Sequence, residues 1–335
     1  MAPRPPSILD VAELAKVSRQ TVSRVLNEHP SVNPETRQRV LDAIAQLDYR
    51  RNPAAHALAS KHSNILGVTV TNAQLLGPSG ALLAIDEAAR LAGYWVSVAF
   101  VRGNTEQEMD SALSHFLNQG AEGAIVIAPN DATLAAVERN ADRLPMVLAT
   151  TADTSGLGIP ALDIDQRAGA HKAVQHLIEL GHERIAHISG PLNEFHARDR
   201  LAQWSEDLRA AGLSGEQFLE GDWSPASGYQ FGCQIAAEDN PPTGIFAASD
   251  QMAMGLLRAL QQHGIRVPQD ISVVGFDNMV GSDQLIPPLT TVEQRFDELG
   301  AALLSMLVAL VDGKEIPRAE LVPELIVRES TAARS

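Results

Sequence analysis

The chain has 335 residues, of which 45% are hydrophobic and 20% are charged, and its formal net charge is −15. This length predicts two or three domains, and the ordinary globular composition excludes collagen, a coiled coil and a disordered chain. One cysteine, Cys233, excludes a disulfide framework and a thiolate zinc site, and we expect it to be buried and inert within a helix. The sequence shows neither an apolar run of membrane-spanning length nor a signal peptide, so we expect a cytoplasmic protein.

The charge is divided unevenly along the chain. Residues 1–61 carry nine basic and six acidic side chains and are net +3, which leaves −18 on the remaining 274 residues. Because an acidic body repels a polyanion, any contact with nucleic acid is expected within the first segment.

Residues 7–47 carry the pattern of three short helices. Ser7 is a suitable N-cap for an apolar stretch, and Ser18 is a second N-cap shortly after that stretch ends at Ala15. Asn33 followed by Pro34 predicts the start of a third helix. The side chains expected to close a small core from this third helix are those of Val40, Leu41, Ile44 and Leu47.

The first two helices and the turn between them predict a helix-turn-helix, whose second helix enters the major groove of DNA. Arginine pairs with guanine edges and glutamine with adenine edges, so Arg19, Gln20 and Arg24 are expected to read bases. Shorter polar side chains are expected on phosphate oxygens, which fix the register without reading sequence; these are Ser18, Thr21, Ser23 and Asn33. The pattern alone also fits a small helical bundle with a polar face.

Three segments of this region together resemble the head of the lactose-repressor (LacI/GalR) family of transcription regulators. They are ILDVAELAKVSRQTVSRVLN at 8–27, VNPETR at 32–37 and LDYRRNPAAHALA at 47–59. The resemblance implies a DNA-binding head at 1–51 and a hinge helix at 52–61, where two subunits pair over the DNA.

The resemblance also implies that Leu58 wedges into the minor groove, since apolar wedges unstack a base step and kink the duplex. Read alone, Leu58 could also be an apolar linker residue. The full set of expected DNA contacts is Ser7, Ser18, Arg19, Gln20, Thr21, Ser23, Arg24, Asn27, Asn33, Asn52, Ala55, His56 and Leu58.

After Lys61 the chain alternates β-rich runs with amphipathic stretches, which is the pattern of parallel sheets covered by helices. The predicted strands are Ile65–Thr71, Trp95–Val101, Gly123–Ala128, Met146–Thr150, Leu162–Asp165, Ile185–Ser189, Gly244–Ala248 and Ile271–Gly275. The predicted helices include Ala81–Ala92, Met109–Gln119, Gly169–Leu180, Arg198–Ala211, Met252–His263 and Asp297–Val311. This many elements fit an α/β body of two doubly wound lobes, with a ligand at the carboxyl ends of the strands.

The body also resembles the LacI/GalR family, which is similar in turn to periplasmic sugar-binding proteins. Its landmarks are RLAQW at 200–204, ASDQMA at 248–253, ISVVGFD at 271–277 and PPLTT at 287–291. The resemblance implies a body at 62–330, with lobe one at 62–164 and 296–322 and lobe two at 165–295 and 323–330. The chain would then cross three times between the lobes and form a hinge that closes on ligand.

Sugars are bound by polar groups on their hydroxyls and by aromatic faces on their C–H surfaces. By the resemblance, Arg200 and Asp277 each make two hydrogen bonds to adjacent hydroxyls, and Trp223 stacks on the sugar. Read alone, Trp223 could be a core tryptophan and Asp277 a loop N-cap. The expected effector contacts are Leu75, Pro78, Ala81, Ile164, His196, Arg200, Trp223, Ser249, Asp277 and Gln294.

Three positions depart from the lactose-type pattern. Its pocket aspartate falls at Ala149, with Thr150 or Thr151 as a stand-in. Ser249 occupies an asparagine position, and His196 replaces a small hydroxyl residue. We therefore expect a galactoside or a glucoside as the effector, and a β-linked disaccharide is among the candidates.

These observations predict a sequence-specific repressor of carbohydrate-utilisation genes, which a sugar releases from a pseudo-palindromic DNA operator. An activator or a corepressor mechanism stays open. A transport protein would have an export signal and no head, and an enzyme would need a dinucleotide loop or a base–nucleophile set. We expect neither class, and no cofactor.

Two further expectations concern metal and assembly. The histidines His171, His176, His182 and His187 lack the spacing of a metal site. The short tail after Arg328 carries no leucine heptads of the kind that make tetramers, so we expect a homodimer.

Overall fold

The computed structural model describes residues 6–26, 29–49, 62–72, 74–101, 105–215 and 217–334. The chain divides into two units, residues 1–63 and residues 64–335, which we call the head and the body. No helix of the described residues is long and apolar enough to cross a membrane.

The head consists of helices α1 (Ile8–Leu14), α2 (Arg19–Leu26) and α3 (Pro34–Gln46). All three predicted N-caps are confirmed. The Ser7 hydroxyl accepts from the N–H of Asp10 in a capping box, and the Ser18 hydroxyl accepts from the N–H of Thr21 at 3.1 Å. The Asn33 side chain accepts from the N–H of Thr36 at 2.7 Å, with Pro34 in the first turn of α3.

The core of the head is small and entirely aliphatic. Its buried members are Val11, Ala12, Ala15, Val22, Val25, Val40 and Ala43. The prediction for Leu41 is wrong, because its side chain is 45% exposed. On a helix of 3.6 residues per turn, Val40, Ala43, Ile44 and Leu47 share one face, and Leu41 lies beside that face.

The first sheet of the body is parallel and has the order β2-β1-β3-β4-β5. Its strands are β1 (Ile65–Thr71), β2 (Trp95–Val101), β3 (Gly123–Ile127), β4 (Met146–Ala149) and β5 (Ala161–Leu162). The helices that alternate with them are α4 (Leu76–Leu91), α5 (Glu106–Asn118) and α6 (Asp131–Asn140).

The second sheet has the order β11-β10-β9-β8-β6-β7, and only β11 runs antiparallel to its neighbour. Its strands are β6 (Ile185–Ser189), β7 (Phe218–Glu220), β8 (Gly244–Ala247), β9 (Ser272–Asp277), β10 (Thr290–Glu293) and β11 (Glu324–Ile326). The accompanying helices are α7 (Gln166–Glu179), α8 (Phe195–Ala210), α9 (Pro225–Ala236) and α10 (Asp250–Gln262), with a 3₁₀ turn at Ser282–Gln284.

The last helix, α11 (Phe296–Val311), returns to the first sheet after β10 and packs against α4, β3 and β4. Its close approach to α4 requires Gly300, since a Cβ there would lie 2.5 Å from the carbonyl carbon of Ala84. Two sheets that are parallel except for β11, both covered by helices, confirm the predicted fold class. Strands β7, β10 and β11 were not among the eight predicted strands, and α6 was not among the helices predicted by their bounds.

Cys233 lies in α9, where a helix was expected, but its side chain is only half-buried. The expectation of full burial is therefore wrong. Residues such as Phe231 and Ile235 take the inward face of α9 in its place.

Candidate functional site

Helix α2 presents the predicted base-reading side chains to solvent. Arg19, Gln20 and Arg24 are exposed, while Val22 and Val25 are buried against α1 and α3. The turn before α2 is tight, with Lys16 at a φ of 55°. The head therefore has the geometry of a helix-turn-helix, with long polar side chains on the outer face of its second helix.

The predicted phosphate contacts lie around the same helix. Ser18 and Asn33 are exposed, and Thr21 and Ser23 are half-buried. The Ser7 hydroxyl is held by the carboxylate of Asp10 at 2.7 Å. Five expected DNA contacts fall outside the residues that the structure describes; they are Asn27, Asn52, Ala55, His56 and Leu58.

A central cavity lies where the carboxyl ends of both body sheets meet. Its empty volume is about 800 Å³, part of which is open solvent. Residues just after β1, β3, β5, β6, β7, β8 and β10 line it, as do Ala149 at the end of β4 and Asp277 at the end of β9. Parallel α/β sheets bind ligands at this edge, and the volume suits a small molecule.

The polar side of the central cavity is organised around Arg200, whose side chain is 4% exposed. Its Nε and Nη2 donate to Oε1 of Gln166 at 2.9 and 2.6 Å, and its Nη1 donates to the carbonyl of Ala248. Its guanidinium also lies 3.6 Å from the ring centre of Phe276. Burial lowers the pKa of Arg200 to about 10, so it stays protonated at neutral pH.

A chain of amide hydrogen bonds joins this arginine to Asp277. Gln166 Nε2 donates to Gln294 Oε1 at 3.0 Å, and Gln294 Nε2 donates to Asp277 Oδ1 at 2.7 Å. The guanidinium Nη2 lies 3.9 Å from the same carboxylate oxygen. The four side chains therefore fix one another, and the acidic and basic groups are preorganised for a ligand.

Burial raises the pKa of Asp277 to about 6, and the positive charge of Arg200 opposes that shift. Asp250 lies behind it, fully buried, and accepts from Thr291 Oγ1 at 2.6 Å and from the N–H of Met279 at 2.8 Å. Burial and the neighbouring Asp277 raise the pKa of Asp250 to about 7. The floor of the site is thus richer in acid than in base.

Two further pairs line the cavity. Trp223 Nε1 donates to Glu194 Oε2 at 2.9 Å, and burial raises the pKa of that glutamate. His196 Nε2 lies 2.9 Å from Asp163 Oδ2, and Asp163 Oδ1 accepts from the N–H of Ile164 at 2.7 Å. Both carboxylates are therefore held in place.

The opposite wall of the cavity is apolar. It is formed by the start of α4, by α11 and by the end of β3. The apolar lining residues are Leu75, Leu76, Pro78, Ala81, Ile127, Phe296 and Leu299. A bound molecule would therefore meet hydrogen-bonding groups on one side and an apolar surface on the other.

Nine of the ten predicted effector contacts line this one cavity. The exception is Ile164, whose side chain is 1% exposed and packs in the core of the first sheet, so its expected place in the site is corrected. The suggested stand-ins for the missing aspartate do not line the cavity either. Thr150 accepts from the N–H of Ala152, and Thr151 donates to Asp199.

Sequence reasoning missed several polar groups of the site, among them Asp163, Glu194 and Gln166. The four histidines that were weighed as metal ligands each have a partner of their own. His171 pairs with Asp207, His176 with Thr331, His182 with Thr243, and His187 with the carbonyl of Phe246. Within the described part of the chain, no three His, Cys, Asp or Glu residues group as a metal site.

Two family models match the chain. One, described as bacterial regulatory proteins of the lacI family, matches residues 7–52, and the other, a periplasmic binding protein-like domain, matches residues 174–331. The lactose operon repressor of Escherichia coli strain K12 is 36% identical over 329 residues, which cover 98% of this chain and 91% of the relative. A solved lac repressor dimer, bound to operator and the anti-inducer ONPF, has a TM-score of 0.90 at 37% identity and covers 98% of this chain and all of its own.

Two other relatives are similar over nearly the same length. The transcriptional repressor PurR of Erwinia tasmaniensis is 33% identical, covering 97% of each chain. A complex of the transcriptional regulator CelR with cellobiose has a TM-score of 0.70 at 31% identity, covering 97% of this chain and 99% of its own. These likenesses span the head and the body together.

Proposed function

Since this chain belongs to the lacI family of bacterial regulatory proteins, we propose that this DNA-binding transcriptional regulator is a repressor that a sugar releases from its operator. The observation that carries the proposal is the central cavity, whose buried Arg200 and Asp277 face an apolar wall in a chain with a helix-turn-helix head. The effector would be a galactoside or glucoside, a β-linked disaccharide included, and the targets carbohydrate-utilisation genes. Such a repressor acts in the cytoplasm.

The DNA contacts are proposed from the exposed face of the head. Arg19, Gln20 and Arg24 would read base edges in the major groove, with the neighbouring hydroxyl groups on phosphate oxygens. Two heads on a symmetric homodimer would bind the two halves of a pseudo-palindromic operator. The hinge helix proposed at 52–61, with Leu58 as the wedge, completes this interface.

The sugar contacts are proposed from the polar side of the cavity. Arg200 has five N–H groups, of which Gln166 and Ala248 take three, so that among the described residues two remain for Asp277 and a ligand. Asp277 would accept from adjacent hydroxyls, and Trp223, which lines the cavity, would contact the C–H face of the ring. The apolar wall would cover the second ring or the aglycone.

The body would form two lobes that close on the effector. We propose lobe one at 62–164 and 296–322 and lobe two at 165–295 and 323–330. The return of α11 to the first sheet and of β11 to the second supports this division. Closure around the effector would favour the dimer form that binds operator less tightly.

Linkage makes the regulation reciprocal, because an effector that weakens operator binding must itself bind more weakly to the operator complex. To release most of the operator, the effector must bind the free chain more tightly than the operator complex by roughly 3–5 kcal/mol. The −18 charge outside the first 61 residues assists release, since that part of the chain repels DNA.

The test is a gel-shift assay on the operator next to the chain's own gene, titrated with a panel of sugars. We expect one galactoside or glucoside to release the DNA, and Asp277→Asn to bind the DNA normally and respond only at much higher sugar concentration. Release by a purine alone, tighter DNA binding on addition of sugar, or no preference among duplexes would contradict the proposal.

A further inference from the structure

The central cavity carries more negative than positive charge. Among the described residues that line it, three carboxyl groups, those of Asp163, Glu194 and Asp277, face one guanidinium, that of Arg200. His196 also lines the cavity and carries a positive charge only when it is protonated. The charges of the cavity wall therefore do not balance.

Of the three carboxyl groups, that of Asp277 is the one in an ion pair with Arg200 among the described residues. The Nη2 of Arg200 lies 3.9 Å from Asp277 Oδ1. The three N–H groups of Arg200 that donate hydrogen bonds do so to uncharged acceptors, namely the side chain of Gln166 and the backbone carbonyl of Ala248. Burial nevertheless raises the pKa of Asp277 to about 6, and the charge of Arg200 opposes this rise without cancelling it.

The other two carboxyl groups are bound by groups that carry no permanent charge. Glu194 accepts from the indole N–H of Trp223, and burial raises the pKa of this glutamate as well. Asp163, whose side chain is 7% exposed, accepts from the N–H of Ile164 and is 2.9 Å from His196. Both are fixed in orientation, and among the described residues neither accepts a hydrogen bond from an arginine or a lysine.

The local backbone explains why Asp163 reaches the cavity. It directly follows β5, and the β5 residue Leu162 pairs with Ala149 at the end of β4. Ala149, whose side chain is a single methyl group, lines the cavity as Asp163 does. A ligand group at this position would lie close to a carboxylate on the polar side of the site.

We propose that the effector carries a protonated amino group, as an amino sugar or its glycoside does, and that this ammonium lies between Asp163 and Glu194. The inference rests on the proposed function, because it specifies the effector of the same cavity. An ammonium has three N–H donors, which match carboxylate acceptors that are already held in place. An ion pair shielded from water is also stronger than one at the surface.

The test compares matched sugars by isothermal titration calorimetry on the full chain. The probes are glucosamine and galactosamine and their β-methyl glycosides, each beside its N-acetyl form and its neutral hydroxyl counterpart. We expect the free amine to bind at least about tenfold more tightly than both counterparts, a difference of about 1.4 kcal/mol. Equal affinity for amine and hydroxyl forms, or tighter binding of the N-acetyl form, would overturn the inference.

Two isosteric variants locate the effect. Asp163→Asn and Glu194→Gln keep an oxygen that accepts from His196 or Trp223, and each should reduce the preference for the amine at least fivefold. Asp239→Asn, at an exposed surface position, is the matched control and should leave the preference unchanged. An unchanged preference in both cavity variants, with thermal unfolding like that of the parent chain, would also overturn the inference.

The gel-shift readout separates this inference from the proposed function. If neutral sugars bind and release the operator while amines bind no better, only the amine inference fails. If no sugar of either kind binds or releases the operator, the proposed function fails with it.

Discussion

Asp277 and Trp223 both have a backbone conformation that side-chain-bearing residues seldom adopt. Their φ angles are 112° and 67°, in the left-handed region that favours glycine. A residue with such a φ angle lowers the stability of the folded chain by on the order of 1–3 kcal/mol, and it keeps that conformation only where the surrounding structure enforces it. Both side chains line the central cavity, which is consistent with a backbone shaped for the site rather than for stability.

The first prediction concerns the charge of Asp277. Because burial raises its folded-state pKa from 3.8 to about 6, the ionised form costs stability above that pH, and the cost falls away as the pH drops toward 4. Asp277→Asn removes the charge and keeps an oxygen for Gln294. We expect the variant to gain stability over the parent chain at pH 8, and this gain to shrink by on the order of 1 kcal/mol at pH 5.

Urea unfolding of both chains at the two pH values measures this difference. Groups that do not interact with Asp277, such as the buried His187 whose pKa burial lowers to about 3, affect both chains alike and cancel in the comparison. Asp250 adds to the difference, because the charge of Asp277 raises its pKa in the parent chain. A variant that is less stable than the parent chain at pH 8 would show that the carboxylate is stabilised by its surroundings.

Individual residues of the site differ in how far the sequence predicts them. Arg200, Asp277 and Trp223 lie in motifs that resemble the family, so their place in the cavity follows from short segments. Gln166 and Glu194 meet their partners across long separations, 34 residues from Gln166 to Arg200 and 29 from Glu194 to Trp223. No local pattern encodes such contacts, since they arise only when the separate helices and strands of the second sheet are assembled.

At the level of elements, α10 shows how one residue serves both a helix and the site. Ser249 is the N-cap of α10, where its hydroxyl accepts from the N–H of Met252 at 3.2 Å, and it also lines the cavity. Its small size is compatible with both roles.

The second prediction follows from this cap. Ser249→Ala removes the acceptor and should lower the free energy of unfolding by about 1 kcal/mol, because an N–H of the first turn loses its partner. Ser249→Asn restores a good capping residue and should stay within about 0.5 kcal/mol of the parent chain. Denaturant titration measures both, and an alanine variant as stable as the parent would contradict the role of the cap.

The third prediction concerns α2. Gln20→Ala should reduce discrimination among operator variants by about 1–3 kcal/mol at one base pair, because glutamine can make two hydrogen bonds to adenine. Gln46→Ala, at an exposed position in α3, is the matched control and should leave discrimination unchanged. Competition gel shifts with single-base operator variants measure the effect, and equal discrimination by both variants would exclude Gln20 from base reading.

The elements that the sequence predicted least well are short, or begin with glycine and proline, which are unusual inside helices. Strands β7 and β11 have three residues each and lie at the two edges of the second sheet, so neither gives a long apolar run. The helix α4 begins at Leu76, before the predicted Ala81, because Pro78 falls in the first turn, where its missing N–H has no intrahelical partner to lose. Apolar periodicity therefore predicts the middle of an element better than its ends.

At the scale of the whole molecule, the segment with the helix-turn-helix and the segment with the cavity have net charges of opposite sign. A net charge of +3 belongs to the segment that contains the helix-turn-helix, and −18 belongs to the rest of the chain, which contains the central cavity. This division was visible in the sequence, because charge can be counted without a structure. The sequence also predicted a ligand at the carboxyl ends of the strands, but that nine strand ends meet at one cavity required the fold.

The fourth prediction tests the central claim that a ligand in the cavity controls the affinity of the chain for operator DNA. Effector affinity is measured by calorimetry with and without saturating operator, and operator affinity is measured by gel shift with and without saturating effector. We expect saturating operator to weaken effector binding at least tenfold, and saturating effector to weaken operator binding by the same factor within error, because linkage makes the coupling reciprocal. An effector that binds the free chain and its operator complex with the same affinity would contradict the claim.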